Sequence, residues 1–237
     1  MARLPAFLFG ALCMAAASTA LALPDWNGLW VISKDPDRPS AQLGGTKPGD
    51  LPSLTPKYQA LFDKASALFA TGSLAMDKTV HCEPPGMPLM MSIANGGEVL
   101  MTPGRVTIIS EWAGDVRRIF TDGRPHPRDL DPSFEGHSIG HWEGNDLIVD
   151  TVAISTKASL TLNGAQQSDK MHIVERFHEY ARGKLEILFH IEDPEAFTRP
   201  WDYRLTWKRN PDPLDYIHEY SCDNNRNASE AVSTDKK

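Results

Sequence analysis

From Val99 to Lys208 apolar residues tend to recur at every second position, the period of a half-buried strand. That period predicts strands over Val106–Trp112, Val116–Thr121, His137–Trp142, Leu147–Val152, His172–Tyr180, Leu185–Glu192 and Tyr203–Lys208. An aromatic and β-branched run near the start, Asp25–Ile32, adds another. Several joins are tight turns: Ala113-Gly114-Asp115, Glu143-Gly144-Asn145-Asp146 and Ala181-Arg182-Gly183. Turns that short link antiparallel neighbours. Longer Pro-rich connections run over 122–136 and 193–201. One segment has the helical period instead. Thr55-Pro56 supplies an N-cap and a first-turn proline, and Tyr58, Leu61, Phe62, Ala65, Leu68 and Phe69 fall on one face. Gly72 ends it, so a helix is expected over 55–71.

A meander of about eight strands must close on itself or stack to remove its edges. Gly28-Leu29-Trp30 resembles the Gly-x-Trp of lipocalin-type barrels, where the Trp plugs one end and an Arg from a late strand packs on it. Arg204 and Arg209 are the candidates for that Arg. The expected fold is therefore all-β: an antiparallel lipocalin-like barrel of about eight strands with one N-terminal helix, a β-sandwich being the alternative.

The two ends read differently from the body. Arg3, the apolar stretch Leu4–Ala17 and the small residues Ala20-Leu21-Ala22 form a signal-peptide pattern over 1–22, with cleavage expected after Ala22 and a periplasmic destination. The polar stretch 223–237 is expected to be a disordered tail, leaving 23–222 as a single domain. Loss of Cys13 with the leader leaves Cys82 and Cys222, and two cysteines in an exported chain are expected to pair. The 237-residue chain is 41% hydrophobic and 23% charged, with a net charge of −7. An acidic balance argues against a nucleic-acid backbone binder. After the leader no run reaches the roughly 18 apolar residues of a membrane span.

Candidate chemistry concentrates in 117–151 and 171–177. In a strand, residues two apart share a face, so His137, Ile139 and His141 point one way and Ser138, Gly140 and Trp142 the other. With the histidines toward the lumen, each needs a partner in low dielectric, and Asp150 and Glu175 lie on neighbouring strands. These four, His137, His141, Glu175 and Asp150, form the expected acid–base set. Arg118, Asp122, Arg124 and His126 are the expected substrate contacts, an arginine holding a phenolate, enolate or carboxylate. An HxxxH spacing on a strand sets its imidazoles too far apart for zinc. Met76, His81, Cys82, Met87, Met90 and Met91 have the softness for Cu(I), but methionines beside Pro-rich loops more often fill cores. Neither a metal nor a cofactor is expected, and Walker, GxGxxG and GxSxG motifs are absent.

The runs Arg117–Arg124, Gly136–Gly144, Asp150-Thr151 and Met171–Phe177, with Glu192-Asp193-Pro194 and Pro200-Trp201, resemble a family of exported proteins from proteobacteria that degrade aromatics. The resemblance covers roughly residues 80–222. It implies shared polar residues lining one cavity, and a link with lignin-derived phenolics, on which lyases act without a cofactor. Three functions compete. The first is a cofactor-independent lyase or isomerase for a hydrophobic, aromatic small molecule, such as a formaldehyde-releasing lyase. The second is a periplasmic carrier with the same pocket and no turnover. The third is an envelope-interaction protein, favoured by outward histidines. Homo-oligomerisation stays open.

Overall fold

A computed structural model describes residues 23–43, 50–72, 82–92, 96–212 and 214–221. The expected leader 1–22, the tail 223–237, Cys222, Met76 and His81 lie outside the described residues. The strands are β1 (Gly28–Ile32), β2 (Gly97–Thr102), β3 (Arg105–Ser110), β4 (Val116–Phe120), β5 (His137–Glu143), β6 (Asp146–Val152), β7 (His172–Ala181), β8 (Lys184–Glu192) and β9 (Trp201–Arg209). They pair in chain order, and β9 returns to β1, so the sheet is a closed barrel. Among the described residues no helix is long and apolar enough to cross a membrane.

Two expectations are corrected. The barrel has nine strands rather than about eight, because Gly97–Thr102 pairs with both β1 and β3. Its alternation is weak: it begins on glycine and Leu100 is exposed. The sheet is also not wholly antiparallel. β4 and β5 run parallel, with Ile119 beside Ser138 and Phe120 beside Ile139. A two-residue hairpin cannot join parallel neighbours, and the long 121–136 connection supplies the return path.

The helix α1 (Pro56–Ala70) lies outside the barrel. Thr55 makes no side-chain cap; its hydroxyl donates instead to the Glu195 carbonyl at 3.0 Å. Lys57 and the Tyr58 hydroxyl both reach the Glu195 carboxylate, at 2.7 and 3.2 Å, docking the helix on the β8–β9 connection. Of the expected apolar face, Tyr58 and Ala65 are buried and Phe62 partly so, while Leu61, Leu68 and Phe69 are exposed.

One end of the barrel is plugged by tryptophans. Trp30 is fully buried, and its indole donates to the Trp26 carbonyl at 2.8 Å. Arg209, on the last strand, lays its guanidinium 4.7 Å from the centre of the Trp30 ring. The same guanidinium donates to the carbonyls of Asn27 and Asp25, closing the N-terminal segment over the end. Trp26 continues the stack onto Trp142 at 5.1 Å and Phe177 at 6.2 Å. A cation over an aromatic face adds electrostatic attraction to the burial of both groups. Removing a buried indole leaves a cavity that costs about 3–5 kcal/mol. Trp30→Ala is therefore expected to lower the thermal midpoint steeply, as circular dichroism melting would show; an unchanged midpoint would deny the plug a structural role.

Candidate functional site

The barrel wall separates two polar systems that the sequence alone merges. Burial alternates along β4 to β7 so that Arg117, Ser138, Thr151 and Glu175 face inward, and Arg118, Phe120, His137, Asp150 and His172 face outward. The lumen thus takes the Ser138, Gly140 and Trp142 face of β5, not the His137 and His141 face. Gly140 sits tightly: a Cβ there would meet Ile119 at 3.0 Å and Leu147 at 3.1 Å, so those side chains would have to shift.

Inside, Arg117 and Glu175 form a fully buried ion pair, with Nη1 2.8 Å from Oε1 and Nη2 on Oε2. The Arg117 guanidinium also donates to the Ser138 hydroxyl at 3.3 and 3.2 Å and to the Thr151 hydroxyl at 3.0 Å. Ser138 and Thr151 lie 2.9 Å apart. Tyr203 packs face to face on Phe189 at 4.5 Å, and its hydroxyl is buried without a hydrogen-bond partner among the described residues. Burial, with the Glu175 charge nearby, pushes that phenol well above its ordinary range. Glu175, expected beside the histidines, therefore belongs to this interior network. At the tryptophan end, the space between Trp30, Met91, Ile108 and Trp207 holds about 10 Å³, room for one water at most.

Outside, the 121–136 connection folds back so that His126 sits on His137 and Asp150. His126 Nδ1 lies 2.7 Å from His137 Nδ1, and His126 Nε2 lies 3.1 Å from Asp150 Oδ1. His172 Nε2 reaches the same Asp150 oxygen at 3.1 Å. The His137 ring stacks on Phe120 with centroids 5.4 Å apart. Arg124 lies 4.1 Å from the centre of the Phe120 ring, held by Asp122 through contacts of 2.8, 3.0 and 2.5 Å. Backbone geometry aims this assembly: Gly136, just before His137, has φ +66°, and a Cβ there would stand 2.7 Å from both Ile154 Cγ1 and the Val152 carbonyl. His141 takes no part; it is exposed and pairs with Glu143 at 3.2 Å. Arg118 is exposed and reaches none of these groups as an ion pair, although its charge acts on Glu135.

With both imidazoles of the His126–His137 pair neutral, one placement of protons satisfies these contacts. An ionised carboxylate only accepts, so His126 Nε2 and His172 Nε2 donate to Asp150. His126 Nδ1 then carries a lone pair and accepts from His137 Nδ1–H. That leaves the lone pair of His137 on Nε2. Burial first, then the neighbouring His126 imidazole and the Arg124 charge, hold the His137 imidazole below its ordinary value of 6.5. It is consequently neutral, and a base, at pH 7. Two carboxyls at the β3–β4 and β4–β5 corners shift the other way. Asp115, which accepts from the Gly86 amide at 3.2 Å, is pushed up to about 7 by burial and by Glu135. Burial also raises Glu135, against its own backbone amide and the Arg118 charge.

Sequence reading missed His172, Phe120 and Arg117. His172 and Phe120 carried parity as a signal, each being two residues from an outward neighbour. Arg117 carried the opposite sign: it shares parity with the apolar Ile119. Among the described residues no cluster of His, Cys, Asp or Glu is arranged to hold a metal ion. No protein-family model matches the chain, and no curated protein matches it.

Removing one partner of a buried ion pair strands the other charge and costs about 3–5 kcal/mol. Glu175→Leu alone is expected to destabilise on that scale, whereas Arg117→Met with Glu175→Leu should recover most of the loss. Denaturant unfolding of the single and double variants measures this; equal losses would show that the two side chains do not act as a pair.

Proposed function

We propose that the chain is a cofactor-independent acid–base catalyst, a lyase or isomerase, acting on a hydrophobic, aromatic small molecule at the outer face of the barrel. The observation that carries the reading is the Asp150–His126–His137 relay, which ends on an unengaged His137 Nε2 beside an aromatic ring. A carboxylate behind an imidazole fixes its tautomer and stabilises the imidazolium that forms when it takes a proton. Here a second imidazole stands between them and passes the effect along. A base of lowered pKa is unprotonated at neutral pH without needing an alkaline medium.

For a β-hydroxy carbonyl compound the step balances without a redox partner. His137 Nε2 takes the hydroxyl proton. The oxygen forms a C=O bond as the neighbouring C–C bond breaks, and that electron pair passes into an enolate. Formaldehyde leaves, and the imidazolium returns its proton to the enolate carbon. Arg124, fixed by Asp122 over Phe120, supplies positive charge near the developing anion. Of the set expected from sequence, Glu175 has no part in this, since it is engaged by Arg117, and His141 stands apart with Glu143. The carrier reading draws no support from the buried Arg117–Glu175 network inside the barrel.

The same proposal includes the family resemblance, a lipocalin-like form of the barrel, export to the periplasm and a Cys82–Cys222 bridge. The Gly28-Leu29-Trp30 and Arg209 arrangement supports the second of these. Protein recovered from the periplasm should begin near Leu23, and alkylation with and without reductant should differ at both cysteines; an intact Met1, or equal labelling, refutes the respective point.

A positioned general base contributes about 10²–10⁴ in rate. With a panel of aryl β-hydroxyketones assayed by formaldehyde release, His137→Ala should lose that factor while keeping its thermal midpoint, because His137 is only partly buried, on the outer face of the barrel. The wild-type rate should rise with pH on a limb whose midpoint lies below 6.5, since protonation silences the base. Undiminished turnover by His137→Ala would sink the reading.

A further inference from the structure

We infer that the outer face beside His137 is a recognition site for the carboxylate of an aromatic acid, with Arg105 and Arg118 as its anion-binding residues. This deepens the acid–base reading and rests on it for the identity of the base. β3 and β4 pair with Arg105 opposite Phe120 and Thr107 opposite Arg118. Across the parallel seam, Phe120 lies beside Ile139 and Ile119 beside Ser138. One position earlier, Arg118 and His137 occupy adjacent strands, and both are on the outer face. Ile139 and the edge of Phe120, whose faces carry Arg124 and His137, thus form a small apolar strip beside Arg105 and Arg118.

Charge complementarity supplies the occupant. The chain is acidic, with a net charge of −7, yet this patch gathers Arg105, Arg118 and Arg124 around one ring. Arg124 is committed to Asp122. Arg105 and Arg118 are exposed, and among the described residues neither makes an ion pair. The Glu135 carboxyl is the nearby acid on which the Arg118 charge acts. A planar guanidinium offers a two-pronged match to a carboxylate. The Phe120 faces carry Arg124 and His137, so an aromatic ring packs on Ile139 and meets Phe120 at its edge, by area burial and edge-to-face contact. Together they select an aromatic acid over a neutral or cationic aromatic of equal size.

Benzoate is the probe, with benzyl alcohol as its neutral counterpart, each titrated into the full chain while the His137 imidazole signals are followed by NMR. Benzoate should shift those signals, and benzyl alcohol should bind at least about tenfold more weakly. A charge-assisted hydrogen bond is worth enough that Arg118→Gln and Arg105→Gln should each weaken benzoate about tenfold. Arg118→Lys, which keeps the charge but not the fork, should fall between wild type and Arg118→Gln, separating recognition from any change in folding. Equal binding of the two probes, or arginine variants that bind benzoate as well as wild type, overturns the inference. The two readings fail separately. Arginine-dependent benzoate binding with full turnover in His137→Ala removes the acid–base reading and leaves the anion site. Loss of turnover in His137→Ala with arginine-independent benzoate binding removes the anion site and leaves the base.

Discussion

Arg117 and Glu175 are an expensive pair to bury, and the barrel is organised around them. Taking two charges out of water costs several kcal/mol per ion, offset only when geometry is good and the remaining donors are used. Here Ser138 and Thr151 take those donors. The four side chains come from β4, β5, β6 and β7, so one network stitches four consecutive strands from inside. It does so where the sheet is thinnest: the parallel β4–β5 seam pairs at only two positions, Ile119 with Ser138 and Phe120 with Ile139. Such a pair gives little stability over apolar residues of equal size, but it penalises any other register heavily. A slip of one residue would turn Arg117 into solvent and Arg118 into the core.

The same parity sets where chemistry can occur. Once Arg117, Ser138, Thr151 and Glu175 point inward, their neighbours Arg118, His137, Asp150 and Val174 must point outward. The catalytic candidates are thus mounted on a wall whose inner face is already fixed. The 121–136 connection then lays His126 against that wall, between His137 and Asp150. A rigid sheet supplies two of the three relay members and a loop supplies the third, which combines precise spacing with room for a ligand to approach.

Much of this was legible in sequence, for identifiable reasons. Period-two alternation found the strands from β3 to β9 because most of their inner residues are apolar, and Gly28-Leu29-Trp30 with Arg209 marked the plugged end. β2 escaped because its glycine start and exposed Leu100 blur the alternation. The parallel seam escaped because antiparallel order was extended across a connection long enough to reverse it. His137 and His141 do share a face, as a strand requires, but a shared face does not say inside or outside. The buried arginine decides that, and a lone Arg-Arg dipeptide reads as two exposed charges. The contact between His126 and His137 depends on the path of a loop, which no spacing rule encodes.

Asp115 gives the fold a dependence on its medium. Its carboxyl sits nearly buried at the β3–β4 corner and accepts the Gly86 amide, anchoring the segment before β2 to the barrel. Because its folded value is raised to about 7, the proton behaves as a ligand of the native state. Its contribution is complete below the ordinary value of 3.8 and is lost as pH rises through about 7. His137 works in the opposite direction: with its value lowered, it penalises the native state as pH falls below 6.5. The two groups face each other across neutrality, one corner loosening in alkali and one base switching off in acid. The molecule is thereby tuned to a band of acidity that neither residue would define alone.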